Sequence, residues 1–177
     1  MIRTGFPLRF APALVAAAAL TAALTVPLPA GAANLVDGVA LSAGTFNVLK
    51  SERSGEVGFE LRMRQVGQGT AELPWVLRPV AGGMTTTENA LYGYLGFRVE
   101  LPARGRWVIT PQWAAGVYDR GNDKDLGGSI QFRSGLELAY EMNPGSRVGA
   151  VFYHLSNAGL EPNNPGSESL VVFWSWR

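Results

Sequence analysis

Residues 130–142 read IQFRSGLELAYEM, and apolar and polar side chains alternate along this stretch. Successive side chains of a β-strand point to opposite faces, so a period of two residues predicts a strand with two unlike faces. One face collects the apolar residues Ile130, Phe132, Leu136, Leu138, Tyr140 and Met142. The other collects Gln131, Arg133, Gly135, Glu137, Ala139 and Glu141, and only Ser134 interrupts the apolar set.

The same alternation recurs before and after this stretch. It is strong in residues 56–65, 91–101 and 107–117, and it continues in residues 146–156 and 168–176. Weaker runs near residues 36–48 and 73–82 bring the total to about eight strands. Turn-forming residues separate several of the runs, at positions 102–105, 119–128 and 143–145. No helical periodicity competes with this pattern, so the sequence predicts an all-β domain.

Two all-β architectures are compatible with this alternation. A soluble sandwich or lipocalin-like barrel buries the apolar face, whereas an outer-membrane barrel turns that face to lipid and keeps the polar face in its lumen. The polar face mixes glycines with Glu, Arg and Tyr, which suits a narrow lumen. Tryptophans fall on the apolar face, where interface girdles form: Trp107, Trp113, Trp174 and Trp176. We therefore predict an eight-stranded antiparallel transmembrane β-barrel of the outer membrane.

The N-terminal segment has the composition of a secretory signal. Arg3 and Arg9 accompany the start of a nearly continuous apolar run, and small residues at positions 30–32 offer a cleavage site. We expect residues 1–32 to be removed as a signal peptide, which leaves a single barrel domain at residues 33–177. The chain contains no cysteine, so this domain has no disulfide bonds and no thiolate metal site.

The charge balance argues against one class of partner. The chain carries 15 Lys and Arg against 14 Asp and Glu, a formal net charge of +1. A protein without a basic field has little to attract a phosphate backbone, so nucleic acid is not expected as a partner. A barrel embedded in a membrane is expected to meet lipid instead.

Three polar side chains interrupt the apolar face of the last two strands. His154, the only histidine, and Ser156 share that face, with α-carbons roughly 7 Å apart. Glu168 opens the next run in the same phase. In a barrel with both ends of the chain in the periplasm, all three residues lie on the lipid side at the extracellular rim, beside the loop at residues 157–167.

These residue types together suit nucleophilic catalysis. A serine hydroxyl is a weak nucleophile until a base takes its proton, and a carboxylate can orient a histidine for that task. Each residue alone has an ordinary interpretation: a surface histidine, a strand-end turn at Ser156 and Asn157, and a solvated Glu168. Their shared face and their placement across one hairpin favour a catalytic site, which needs neither a metal nor an organic cofactor.

The stretch HLSNAGL at residues 154–160, followed by NNPGSE at residues 163–168, resembles the signature of the lipid A 3-O-deacylase (PagL) family. The resemblance is sharp over residues 129–176 and only architectural before them. It implies an eight-stranded outer-membrane barrel in which Ser156 is the nucleophile, His154 the general base and Glu168 the residue that orients it. It also makes Asn164 the oxyanion-hole residue, and the adjacent Asn163 could exchange roles with it through a one-residue shift.

The resemblance further implies the activity and the substrate. We expect an outer-membrane serine esterase that removes the 3-O-linked hydroxyacyl chain from lipid A of lipopolysaccharide in the outer leaflet. Backbone N–H groups near Asn157 and Gly159 are expected to assist Asn164 in binding the oxyanion. No cofactor is expected, and the sequence is compatible with a homodimer without requiring one.

Two other hypotheses explain the same residues differently. A small outer-membrane barrel with a structural or adhesive role would carry His154 and Ser156 at its rim without a catalytic function. A soluble periplasmic lipid-binding barrel would place the apolar face inside. The direction in which the apolar side chains point distinguishes the soluble periplasmic barrel from a membrane barrel.

Overall fold

The computed structural model describes residues 35–177, and the predicted signal peptide at residues 1–32 lies outside them. The strands are β1 (Val36–Phe46), β2 (Ser54–Met63), β3 (Gly67–Gln68), β4 (Val76–Thr86), β5 (Leu91–Pro102), β6 (Trp107–Asp119), β7 (Ile130–Asn143), β8 (Ser146–Ser156) and β9 (Ser167–Trp176). Within residues 35–177 there is no helix with the length and hydropathy needed to cross a membrane.

The long strands close into a ring in which every neighbour is antiparallel. β1 pairs with β2 on one side and with β9 on the other, and β2 pairs with β4. From β4 to β9 each strand pairs with the next along the chain, while the two-residue β3 only extends the edge of β4. Closure leaves the eight long strands without a free edge, so their backbone groups are satisfied without water.

Apolar side chains cover the outside of this barrel. Along β7 the residues Phe132, Leu136 and Leu138 are exposed, while the alternate residues Gln131 and Glu137 are buried. The predicted faces are therefore confirmed, with the apolar face outward. A soluble barrel has the opposite arrangement, because it gains stability by removing apolar surface from water. The outward apolar face, on a closed ring of eight strands, confirms the predicted membrane-type barrel.

Buried ion pairs lie inside the lumen. Arg98 is completely buried, and its guanidinium contacts Glu60 at 2.8 Å and Glu137 at 2.6 Å. Arg62 contacts the same two carboxylates, at 3.1 Å and 3.0 Å. Charges taken out of water are tolerated when each has an opposite partner and hydrogen bonds, as here. These ion pairs connect β2, β5 and β7 across the inside of the barrel.

Three of the tryptophans predicted to mark a membrane interface lie at one end of the barrel. Trp107 begins β6 and packs edge-on against Tyr140, and Trp174 and Trp176 end β9 with their ring centroids 5.7 Å apart. Trp113 lies in the middle of β6, beside Phe97. This tryptophan girdle lies at the barrel end at which β1 begins and β9 ends, on the side formed by β6 to β9.

Candidate functional site

His154 and Glu168 meet on the outer surface, at the barrel end opposite the tryptophan girdle. They are direct partners in the register of β8 and β9, and their side chains share the outward face with Phe152 and Leu170. Imidazole Nδ1 lies 3.1 Å from Glu168 Oε1, and the two side chains are 40% and 22% exposed. An ionised carboxylate only accepts hydrogen bonds, so a neutral imidazole in this contact donates from Nδ1 and keeps Nε2 as its basic nitrogen.

Ser156 is the last residue of β8 and faces the same way as His154. Both side chains are partly buried, and no hydrogen bond joins them among residues 35–177. Catalytic hydrogen bonds are often long in the absence of substrate and tighten when it binds. The structure thus brings two of the three predicted residues into contact and places the third beside them.

A buried asparagine organises the loop at residues 157–166. Asn157 is fully buried, and its Nδ2 donates to the backbone oxygens of Asn163 at 2.8 Å and of Leu126 at 3.3 Å. Its backbone N–H donates to Asn164 Oδ1 at 3.1 Å, and its Oδ1 accepts from the N–H of Gly159 at 2.9 Å. The two backbone N–H groups expected to assist the oxyanion are therefore already engaged within the loop.

This arrangement distinguishes the two adjacent asparagines. Asn163 contributes its backbone oxygen to the loop, whereas Asn164 contributes its side chain. Since Asn164 Oδ1 accepts from Asn157, the Nδ2 end of the same planar amide points away from that bond. Nδ2 makes no hydrogen bond within residues 35–177, so it remains a donor for a ligand.

The loop at residues 120–129 supports the site, although its sequence indicated only a polar turn. Asp123 Oδ2 accepts hydrogen bonds from Ser54 at 2.5 Å and Thr86 at 2.7 Å, which ties this loop to β2 and β4. Leu126 is buried, and its backbone oxygen accepts from Asn157. One apolar residue in a polar stretch was the sequence signal that this loop packs inward.

Glu168 is held from the side of β1. The N–H of Val48 donates to the backbone oxygen of Glu168 at 2.8 Å, just after the left-handed residue Asn47. Lys124 Nζ donates to Asn47 Oδ1 at 3.0 Å. Burial lowers the pKa of Lys124, and the nearby Glu168 carboxylate opposes that shift. Lys124 thus contacts Asn47, and the next residue, Val48, holds the backbone of Glu168.

A second hydroxyl lies close to the histidine. Ser134, the residue that interrupts the apolar face of β7, is exposed and is the direct partner of His154 across β7 and β8. His154 is thus flanked by Glu168 on one strand and by Ser134 on the other. In the sequence Ser134 is only an interruption of the apolar face, because adjacency across strands depends on a register that periodicity does not give.

Within the part of the chain that the structure describes, no three His, Asp or Glu side chains are placed to hold a metal ion. The site instead offers an oriented imidazole, a hydroxyl and an unengaged amide donor. These are the groups that serine-type acyl transfer uses.

The fold and this site define an outer-membrane β-barrel with a hydrolase-like group of side chains on its lipid-facing rim. A sequence model of the lipid A 3-O-deacylase (PagL) family matches residues 56–177. The chain belongs to this family, which confirms the resemblance seen in the sequence.

One relative agrees with this membership, and two solved structures share the fold. The lipid A deacylase PagL of Bordetella bronchiseptica (strain ATCC BAA-588 / NCTC 13252 / RB50) is 31% identical over 55 residues, which span 31% of this chain and 31% of that protein. The crystal structure of the outer membrane enzyme PagL superimposes with a TM-score of 0.64 at 20% identity, over 79% of this chain and 99% of that one. A designed transmembrane β-barrel gives 0.51 at 9% identity, over 78% and 93%. The two structural matches show the fold.

Proposed function

We propose that this protein is a serine esterase of the outer membrane that removes the 3-O-linked hydroxyacyl chain from lipid A. The contact between His154 and Glu168 on the outward face carries the proposal. Ionisable side chains on a lipid-facing surface are costly, and such residues within a membrane usually serve a function. Here two of them form a hydrogen-bonded pair with serine hydroxyls beside them.

In the first half-reaction, Ser156 Oγ attacks the carbonyl carbon of the ester while His154 Nε2 takes the hydroxyl proton. Glu168 stabilises the imidazolium that forms. The tetrahedral intermediate then loses the sugar oxygen, which receives the proton from His154, and the hydroxyacyl chain remains bonded to Ser156. In the second half-reaction, His154 activates water, which releases the hydroxy fatty acid and restores the serine.

The proposed oxyanion donor is Asn164 Nδ2. It is the end of the amide that the hydrogen bond from Asn157 leaves free, and it lies on the loop that follows Ser156. The backbone N–H groups of Asn157 and Gly159 act in this proposal by fixing the loop and so the orientation of Asn164. Preorganised donors of this kind stabilise negative charge that develops only in the transition state.

Replacing Asn164 tests this assignment. We expect Asn164→Asp to lower kcat by about 10²–10³-fold, because it keeps an acceptor for Asn157 but replaces the proposed donor. Asn163→Asp is the matched control, since Asn163 contributes only its backbone oxygen, and its kcat should stay within a few-fold of the wild type. Initial rates on purified lipopolysaccharide in detergent give both values. Equal losses in the two variants would reject Asn164 as the oxyanion donor.

The location and orientation in the membrane form part of the proposal. A cleaved signal peptide delivers the chain across the inner membrane, and the barrel inserts with its long loops outside the cell. His154, Ser156 and Glu168 then lie at the outer leaflet, which carries lipopolysaccharide. The homodimer remains a prediction, and the site described above is built from a single chain.

The lipid A of cells that produce the protein provides the test of the activity. We expect mass spectrometry to show the loss of one hydroxyacyl chain from lipid A, with release of the free hydroxy fatty acid, relative to cells carrying an empty vector. Heat-dependent electrophoretic mobility checks that the barrel has folded in the outer membrane. An unchanged lipid A profile alongside a folded barrel would favour the non-catalytic barrel, and hydrolysis of phospholipid alone would reject lipid A as the substrate.

A further inference from the structure

Gly166 packs directly against the imidazole of His154. It is buried, lies immediately before β9, and has a left-handed backbone with φ of +59°. A Cβ atom built on it would lie 2.6 Å from His154 Cε1, 3.3 Å from Nε2 and 3.4 Å from the backbone oxygen of Leu155. Ordinary carbon contacts are about 3.5–4.0 Å, so a side chain at position 166 requires either the ring or the backbone beside it to shift.

We propose that Gly166 is a positioning residue of this site, where the absence of a side chain sets the orientation of the catalytic imidazole. The ring is held at two places: Nδ1 contacts Glu168, and the edge formed by Cε1 and Nε2 lies against Gly166. The inference rests on the proposed function. It also gives a chemical reason for the glycine of the Asn-Pro-Gly turn at residues 164–166, which by its sequence alone is an ordinary turn.

The ring, rather than the backbone, is expected to move when a side chain is added. The backbone beside this contact is held by the ladder between β8 and β9, in which Leu155 pairs with Ser167 and His154 pairs with Glu168. The imidazole is the end of a side chain with two torsions, so it can rotate while the ladder stays in register. Such a rotation costs the barrel little, but a misplacement of about 1 Å at a reacting group can cost about 10²-fold in rate.

We expect Gly166→Ala to lower kcat by about 10²-fold with little change in KM. Gly105→Ala is the matched control, because Gly105 also has a positive φ, of +71°, but nothing lies within 4 Å of its Cβ position. Both variants place an alanine at a positive φ, and only the first meets the imidazole. Both should fold to the same extent, as judged by heat-dependent mobility after refolding into detergent.

The single histidine allows a second, direct measurement. His154 is the only histidine of the chain, so tag-free protein labelled with ¹⁵N-histidine gives one set of imidazole NMR signals. We expect Gly166→Ala to shift these signals and Gly105→Ala to leave them unchanged. This readout does not depend on lipid A, so it tests the contact even if the wild type shows no deacylase activity.

Three results would overturn the inference. Imidazole signals unchanged by Gly166→Ala would mean that the ring does not lie against Gly166. Displaced signals with an unaltered kcat would mean that the contact has no role in positioning the base. Failure of Gly166→Ala to fold where Gly105→Ala folds would make Gly166 a requirement of the barrel instead.

Discussion

Ser156→Ala is expected to abolish deacylation while the barrel still folds in the outer membrane. Without the hydroxyl, His154 has no proton to take from the nucleophile and no acyl-enzyme can form. Removing the nucleophile of a serine hydrolase commonly costs on the order of 10⁶-fold in kcat. The lipid A mass profile of producing cells should therefore match that of the empty vector, and purified protein should show no measurable release of hydroxy fatty acid.

Ser134→Ala provides a matched control for this experiment. Ser134 is also a hydroxyl on the outward face, and it pairs directly with His154 across β7 and β8. Partners of this kind have Cβ atoms about 4.5–5.5 Å apart, closer than two residues along one strand. Ser134→Ala should keep most of the activity. Loss of activity in Ser134→Ala, with activity retained in Ser156→Ala, would identify Ser134 as the nucleophile.

The orientation of the imidazole ring favours Ser156 over Ser134 as the nucleophile. The Cε1 and Nε2 edge of the ring lies against Gly166, which precedes the pair formed by Leu155 and Ser167. The basic nitrogen is therefore on the side of the ring that faces the loop end of the hairpin. Ser156 ends β8 on that side, whereas Ser134 lies level with His154 in the register.

The faces of the barrel could be predicted from sequence because a period of two residues fixes them. Phe132 and Leu136 had to share one face and Gln131 and Glu137 the other, whatever the tertiary structure. Which face points to the lumen does not follow from periodicity. The glycines, charges and tryptophans of the two faces indicated which face is inside. The structure gives the physical reason: a buried charge needs a partner, and Glu137 finds Arg98 in the lumen.

The contact between His154 and Glu168 could be anticipated for a related reason. Both residues lie on the apolar face of two consecutive predicted strands, and antiparallel strands joined by one loop bring such residues near each other. The roles of Asn164 and Asn163 could not be separated in this way. They depend on the hydrogen bond from Asn157 to Asn164 Oδ1, which arises only from the folded shape of the loop.

The contacts that surround the site were not predictable from local sequence, although Leu126 stood out as one apolar residue in a polar stretch. The inward packing of Leu126, the bonds of Asp123 to β2 and β4, and the contact of Gly166 with the imidazole join segments far apart in the chain or across a turn. Loops lack the repeating pattern that fixes a strand face, so composition indicates only that they turn. Their side chains nevertheless give the site a fixed shape, which a catalytic group needs in order to act.

Glu168→Gln is expected to lower kcat by about 10⁴-fold without loss of the barrel, because an amide can favour the wrong imidazole tautomer and cannot stabilise an imidazolium. Glu161→Gln is the matched control, an exposed glutamate in the loop between β8 and β9, and it should retain wild-type activity. Rates on lipopolysaccharide in detergent give the comparison.

The ¹⁵N signals of the single histidine test the reason for that loss. In wild-type protein with a neutral ring, the contact with Glu168 predicts a proton on Nδ1 and none on Nε2. Glu168→Gln should weaken this preference, whereas Glu161→Gln should preserve it. If Glu168→Gln keeps both the tautomer and the rate, Glu168 does not orient the base, and His154 would have to act without a carboxylate partner.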